Sequence, residues 1–257
     1  MARKWSKRKR PDRNVHPNKE HEKTDEGIFN RRIMIYLSKF YNKGIVDRVD
    51  FVIARGKEAE VYVADPGTAE EVEGQRFVAL KFFRVETSSF YKMMDYIEGD
   101  PRFGRIGKGK SAIVNVWCRK EFGNLKLAYE AGISVPKPYM CNGSILAMQF
   151  IGSEEGVPSP RLKEVPLDDP GNMLDQIIKE MGLLYRAGLV HADLSEYNIL
   201  VNCGKPIMID MGQAVVLRHP NAGSFILRDV HNICQYFRSR YKIKRDEKTV
   251  LDAIRAP

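Results

Sequence analysis

The spacing of apolar and polar residues divides the chain into segments of two different periods. "IFNRRIMIYLSKFYNKG" places Ile28, Ile33, Ile35, Leu37 and Phe40 at helical intervals and stops at Gly44, where a glycine C′ ends helices, so a packing helix is predicted over 27–44. The period then drops to two. "VDFVIARGKEAEVYVADPG" reads as strand, turn, strand, closed by Pro66-Gly67, and "RFVALKFFRV" as a third strand. "SAIVNVWCRKEFGNLKLAYEAG" predicts a long helix, "KPYMCNG" and "SILAMQFIG" two more short strands, and "NMLDQIIKEMGLLYRAG" a second long helix behind the proline-bearing linker 154–171. In "AGSFILRDVHNICQYFRSRYKIK", Phe225, Val230, Ile233 and Phe237 fall on one helical face that reads as core. Arg228 and Asp229 interrupt its edge, either bracing a neighbouring loop or forming a surface pair. Between the third strand and the long helix, Glu86 to Lys110 is polar, Gly-rich and basic, and predicts an irregular, mobile functional loop. No internal repeat is present.

At 257 residues and 43% hydrophobic content, the chain buries a core as one large domain or two lobes. Cys118, Cys141, Cys203 and Cys234 are scattered without a C-x-x-C pair, which argues against a disulfide framework or a zinc site and fits a reducing cytoplasm. No apolar run approaches the roughly 18 residues of a membrane span, and no apolar stretch follows the charged N-terminus, so neither a span nor a signal peptide is expected. The net charge of +9 is uneven: residues 1–24 hold nine Lys or Arg and three acids. Such an arm, taken as 1–26, can follow a phosphate backbone by counterion release or simply remain a solvated tail.

Two single residues carry the first hint of chemistry. In "VALK", Ala79 and Lys81 share one face of the strand, opposite Val78 and Leu80. On the long helix, Ile113, Trp117, Glu121, Asn124 or Leu125, and Ala128 recur as an inward stripe that includes a carboxylate. A carboxylate there wants a cation, and Lys81 is the natural candidate, because an unpaired buried charge costs more than a pair. Each also has a plain reading, with Glu121 at the stripe's edge and Lys81 on a solvent face.

"HADLSEYN" then sets His191, Asp193 and Asn198 in the pattern H-x-D-x-x-x-x-N, and twelve residues beyond Asn198 "IMIDMGQ" ends an apolar strand on Asp210, followed by Met211 and Gly212. Taken together and in this order, the features resemble the protein-kinase signature set. The departures narrow the resemblance: Ala54, Gly56 and Ala59 stand at the three glycine positions of the nucleotide loop, Ala192 replaces the Arg of H-R-D, Met211 the Phe of D-F-G, and no A-P-E follows. With "GKEAEVY" and "IDMGQAV", over roughly 45–240, the chain is similar to the RIO family of atypical serine/threonine kinases, most like its first, archaeal-like subfamily.

That resemblance implies an α+β, bilobal kinase-like fold. Its N-lobe, 45–151, would be an antiparallel sheet plus helix with the loop at about 86–110, and its C-lobe, 152–257, truncated and mostly helical. It implies ATP and Mg²⁺, or Mn²⁺, as cofactors. Gly56 would approach the phosphates, Val61 and Ala79 would cover the adenine, Met148 to Ile151 would form the hinge through backbone groups of Gln149 and Ile151, and Lys81 oriented by Glu121 would pair with the phosphates. Asn198 and Asp210 would hold the metal, Asp193 would accept the hydroxyl proton, Asp210 would also serve as nucleophile, and His191 would be structural, bonded to backbone near Asp210. Implied too are autophosphorylation, ATP hydrolysis, a role in small-subunit maturation in the cytoplasm, and contact of the arm and "RFGRIGKGK" with the pre-ribosomal particle and its RNA. The protein hydroxyl substrate is left open. Two rivals from other classes are a pseudokinase scaffold and an RNA-binding assembly factor that senses nucleotide.

Overall fold

The computed structural model describes residues 30–85, 90–104, 107 and 109–256. The predicted arm 1–26, residues 27–29 with Ile28, and residues 86–89, 105, 106 and 108 of the predicted loop lie outside the described residues.

Helix α1 (Arg31–Asn42) starts where the Asn30 side chain accepts from the amides of Arg32 and Ile33, and it buries Ile33, Leu37 and Phe40. Ile35, predicted on the same face, is 56% exposed: two residues from Ile33 on a helix is a turn of 200°, so the two cannot face one core. The five-stranded antiparallel sheet that α1 covers runs β1 (Val46–Arg55), β2 (Ala59–Pro66), β3 (Val78–Phe83), β5 (Ile145–Gln149), β4 (Pro138–Asn142) in spatial order. Strand β3 lies at its centre with all six residues buried, and its alternation sorts them between two cores. Val78, Leu80 and Phe82 join Ile33, Leu37 and Phe40 in the core beneath α1. Phe83 belongs to the larger core, and Lys81, on the same face, reaches the cleft instead.

The segment 86–110 departs from expectation. It contains helix α2 (Phe90–Ile97), whose Met93 and Ile97 are fully buried in the larger core, four residues apart on one face. Tyr96 stacks on Phe225 at 5.2 Å and meets Trp117 edge-on at 6.1 Å, and Arg102 is drawn inward by Asp100 and Asn124. Among the described residues, 91–103 form a packed connection rather than an irregular loop, because their Met, Tyr and Ile outweigh the polar residues around them.

Helix α3 (Lys110–Glu130) lies against the sheet and buries Trp117, Glu121, Asn124, Leu125 and Ala128 as predicted, with Ile113 only half-buried and Lys120 added. The second lobe is carried by α4 (Pro170–Arg186), capped by Asp169, by α5 (Ala222–Tyr241) and by α6 (Glu247–Arg255). Two small two-stranded sheets sit at its top: β6 (Leu189–Val190) with β9 (Val215–Val216), and the hairpin β7 (Ile199–Asn202) with β8 (Lys205–Met208). The β7–β8 connection is a two-residue turn in which Cys203 and Gly204 both have positive φ, 49° and 75°, the form that matches strand twist. These two sheets bring residues 191–198 and 209–214 to the interface between the lobes.

Candidate active site

Between the lobes lies a cleft of about 740 Å³, lined by Gly56, Val61, Ala79, Lys81, Met148, Gln149, Ile151, Asp193, Asn198 and Asp210. Of the residues singled out from sequence for substrate, metal or proton, only Glu121 stands off it. It sits behind Lys81 and holds that ammonium with both carboxylate oxygens, at 2.8 Å each. Lys81 also donates to Asp210 Oδ1 at 2.9 Å. One cation therefore joins three elements: β3, α3 and the segment after β8.

The electrostatics follow from this geometry. Burial disfavours the Lys81 ammonium, but the carboxylates of Asp210 and Glu121 outweigh it and raise its pKa above the lysine range. Burial pushes the Glu121 carboxyl up to about 7, against the opposing pull of Lys81. Asp210 is enclosed by the cleft, which opposes ionisation, yet Lys81 prevails and holds its carboxyl below the usual range. Half of the Asp210 side chain remains open to the cleft.

The hairpin β7–β8 sets the other cleft oxygens. Ile199 pairs with Met208, and Ile209 N–H donates to Asn198 O at 2.9 Å, so Asn198 and Asp210 emerge from the two arms of one rigid unit. Asn198 Nδ2 donates to the Asp193 carbonyl at 2.8 Å and to Asp193 Oδ2 at 3.1 Å. Burial, with the charge of Asp210 second, raises the Asp193 carboxyl to about 6. His191 is buried and its Nε2 lies 3.1 Å from Ile209 O, next to Asp210, the structural placement the resemblance implied.

Three side chains matter here that sequence reasoning passed over or left undecided. Gln213 Nε2 donates to Asp193 Oδ2 at 3.0 Å, a second amide on the same oxygen, and its only sequence signal is its place three residues after Asp210. Asp229 is buried and accepts from the amides of Ala192 at 2.8 Å and Leu194 at 2.9 Å, one on each side of Asp193. Arg228 donates to Ala192 O, so Arg228 and Asp229 are a brace of the loop rather than a surface pair.

The hinge backbone is partly committed within the protein. Gln149 N–H donates to Lys137 O at 2.7 Å, and the Ile151 carbonyl accepts from Ser159 N–H at 3.0 Å. Only the Gln149 carbonyl and the Ile151 N–H are left for a ligand among these four groups.

A family model described as RIO domain matches residues 60–250. The chain is 39% identical over 216 residues to the RIO-type serine/threonine-protein kinase Rio1 of Haloferax volcanii, covering 84% of this chain and 72% of that protein. It is 40% identical over 184 residues to the protein of the same name from Thermoplasma acidophilum, covering 72% and 96%. Among solved structures, the Rio2 kinase–ADP/Mg²⁺–phosphoaspartate complex from Chaetomium thermophilum superposes with a TM-score of 0.64 at 24% identity, over 85% of this chain and 65% of that one. No helix among the described residues is long and apolar enough to cross a membrane. The kinase-like fold, the matched domain and these relatives together place the chain in the RIO family of serine/threonine protein kinases.

Proposed function

We propose that the chain is an ATP- and Mg²⁺-dependent kinase and ATPase that phosphorylates itself and acts in maturation of the small ribosomal subunit. The observation that carries the catalytic part is the convergence of the Lys81 ammonium, the Asp193 and Asp210 carboxylates and the Asn198 amide on one cleft, from positions up to 129 residues apart. Val61 and Ala79 cover the adenine, with Met148 alongside, and the Gln149 carbonyl and Ile151 N–H meet its edge. Lys81, aimed by Glu121, supplies positive charge to the phosphates, and the backbone at Gly56, which carries no Cβ, approaches them from above.

The metal-facing groups suit a hard cation. Asn198 Nδ2 is committed to Asp193, which leaves its Oδ1 as the free group, and Asp210 is half open to the cleft, so both offer oxygen. When bound, Mg²⁺ neutralises charge on the phosphates. Asp193, its Oδ2 fixed by Asn198 and Gln213, keeps Oδ1 to orient a hydroxyl and take its proton. In the ATPase branch an Asp210 carboxylate oxygen forms a bond to the γ-phosphorus as the bond to the bridging oxygen breaks. ADP leaves, and water then cleaves the acyl phosphate to inorganic phosphate. The phosphoaspartate in the Rio2 complex supports this branch, as does the ion pair that keeps Asp210 ionised.

The ribosomal part rests on family resemblance and charge. The arm 1–26 and the stretch 102–110 carry an excess of Lys and Arg whose charge suits an RNA backbone, although Arg102 is engaged with Asp100 and Asn124. The test is labelling of the full chain with γ-labelled ATP, with and without ribosomal particles. Label released by hydroxylamine is expected for Asp210, and hydroxylamine-resistant label for a hydroxyl. Uniformly resistant label removes the aspartyl-phosphate branch, and labelling that ignores the particles removes the ribosomal one.

A further inference from the structure

Helix α3 turns a second polar row toward the segment that follows Asp210. Lys120 is fully buried, and its Nζ donates to the carbonyls of Gly212, at 3.0 Å, and of Ala214. One turn on, Asn124 Nδ2 donates to the carbonyls of Met211 and Ala214, both at 2.8 Å, while its Oδ1 accepts from Arg102 at 2.8 Å. One turn back, the Trp117 ring packs on Gly212 so closely that a Cβ there would stand 2.8 Å from Trp117 Nε1. Gly212 is thus glycine for want of space. Three successive turns of α3 grip residues 211–214.

Lys120 is the anomalous member of this row. Its hydrogen-bond partners are carbonyls rather than carboxylates, and burial pushes its pKa down to about 7, with Asp100, Arg102 and Glu121 the charges nearby. A Met side chain would fill similar space without a buried charge, so packing alone does not account for an amine. What the amine adds is a double donor that fixes two carbonyls of the Asp210 segment. The adjacent residue, Glu121, holds Lys81. Consecutive residues of one helix therefore hold Lys81 and the segment that follows its partner Asp210.

We propose that Lys120 is a positioning residue: its two hydrogen bonds hold the segment after Asp210 in register and so set how the Asp210 carboxylate is presented to Mg²⁺. The inference rests on the Mg²⁺–ATP reading above, and its test separates the two. Binding of a non-hydrolysable ATP analogue to the full chain is measured with Mg²⁺ and with EDTA. Lys120→Met is expected to weaken binding roughly tenfold in Mg²⁺, the scale of two lost hydrogen bonds, and to stay within about twofold of wild type in EDTA. Lys120→Gln, which keeps an N–H donor, is expected to recover part of the loss, and it reads the same difference if Lys120→Met does not fold. Equal losses in both conditions, or no loss in either, overturn the proposal while leaving the Mg²⁺–ATP reading intact. If wild-type binding is itself indifferent to Mg²⁺, that reading fails and the inference falls with it.

Discussion

Replacing Asp229 with Asn perturbs one oxygen and tests how the catalytic loop is held. Asp229 is 1% exposed and takes the amide hydrogens of Ala192 and Leu194 on its two oxygens. The Asn side chain keeps one acceptor and puts an NH₂ where the other stood, so one buried N–H loses its partner, at a cost of about 1–3 kcal/mol. The loop has little slack to absorb this, because Ala192 is held at φ 64°, in the left-handed region that residues with a Cβ disfavour. At roughly 2–4 °C per kcal/mol in a chain of this size, a loss of about 2 kcal/mol lowers Tm by roughly 4–8 °C. Asp193 sits between the two amides, one of them now unpartnered, and a shift of about 1 Å there lowers turnover by as much as ~100-fold. Nucleotide affinity is expected to hold, since Lys81 and the hinge belong to the other lobe. Thermal unfolding and steady-state turnover at saturating Mg²⁺–ATP read the two effects together. A Tm within about 1 °C of wild type together with unchanged turnover would refute the brace, since even the lower end of that cost shifts Tm by more.

Two further outcomes depend on pH. The proposed base, Asp193, would work only when ionised, and burial raises its carboxyl to about 6, so turnover should climb as pH rises through 6 and fall about tenfold per unit below it. Asp193→Asn should lower turnover by ~10²–10⁴-fold and abolish that limb, and a variant that keeps the wild-type profile sinks the assignment. His191 is buried neutral, with its pKa lowered by burial from 6.5 to about 4. The unfolded chain therefore takes up that proton first, and the stability present above about pH 6.5 is lost as pH falls toward 4. Denaturant midpoints in wild type and His191→Asn check it: the wild type should lose more ground on acidification than the variant, and parallel curves contradict it.

The chain announced what repeats or alternates, and what lies on a known spacing. The central strand, the long helix and the loop from His191 to Asn198 were all legible, because period two, period 3.6 and a fixed motif are local properties. Glu121 could be picked out as a charge on an apolar stripe, and Lys81 as its partner. Lys120, one residue away, carried no such mark, because an exposed lysine and a buried one read alike until the carbonyls of Gly212 and Ala214 are placed beside it. Asp229 stayed ambiguous for the same reason, its partners being 35 and 37 residues away. Helix α2 was missed because glycines and charges on both sides diluted its pattern, although Met93 and Ile97 are spaced for a helix. Ile35 went the other way, an apolar residue counted inward that faces out.

The hairpin β7–β8 has a consequence for how an opening cleft would behave. Asn198 and Asp210 are carried by one short, tightly turned unit of the lower lobe, whereas Lys81 arrives from the upper one. Breathing of the two halves can stretch the lysine's reach without altering the separation of the two oxygen donors. The spacing of the two proposed metal oxygens is thereby separated from lobe motion, while the ammonium's reach and the grip of α3 on residues 211–214 both change as the jaws open.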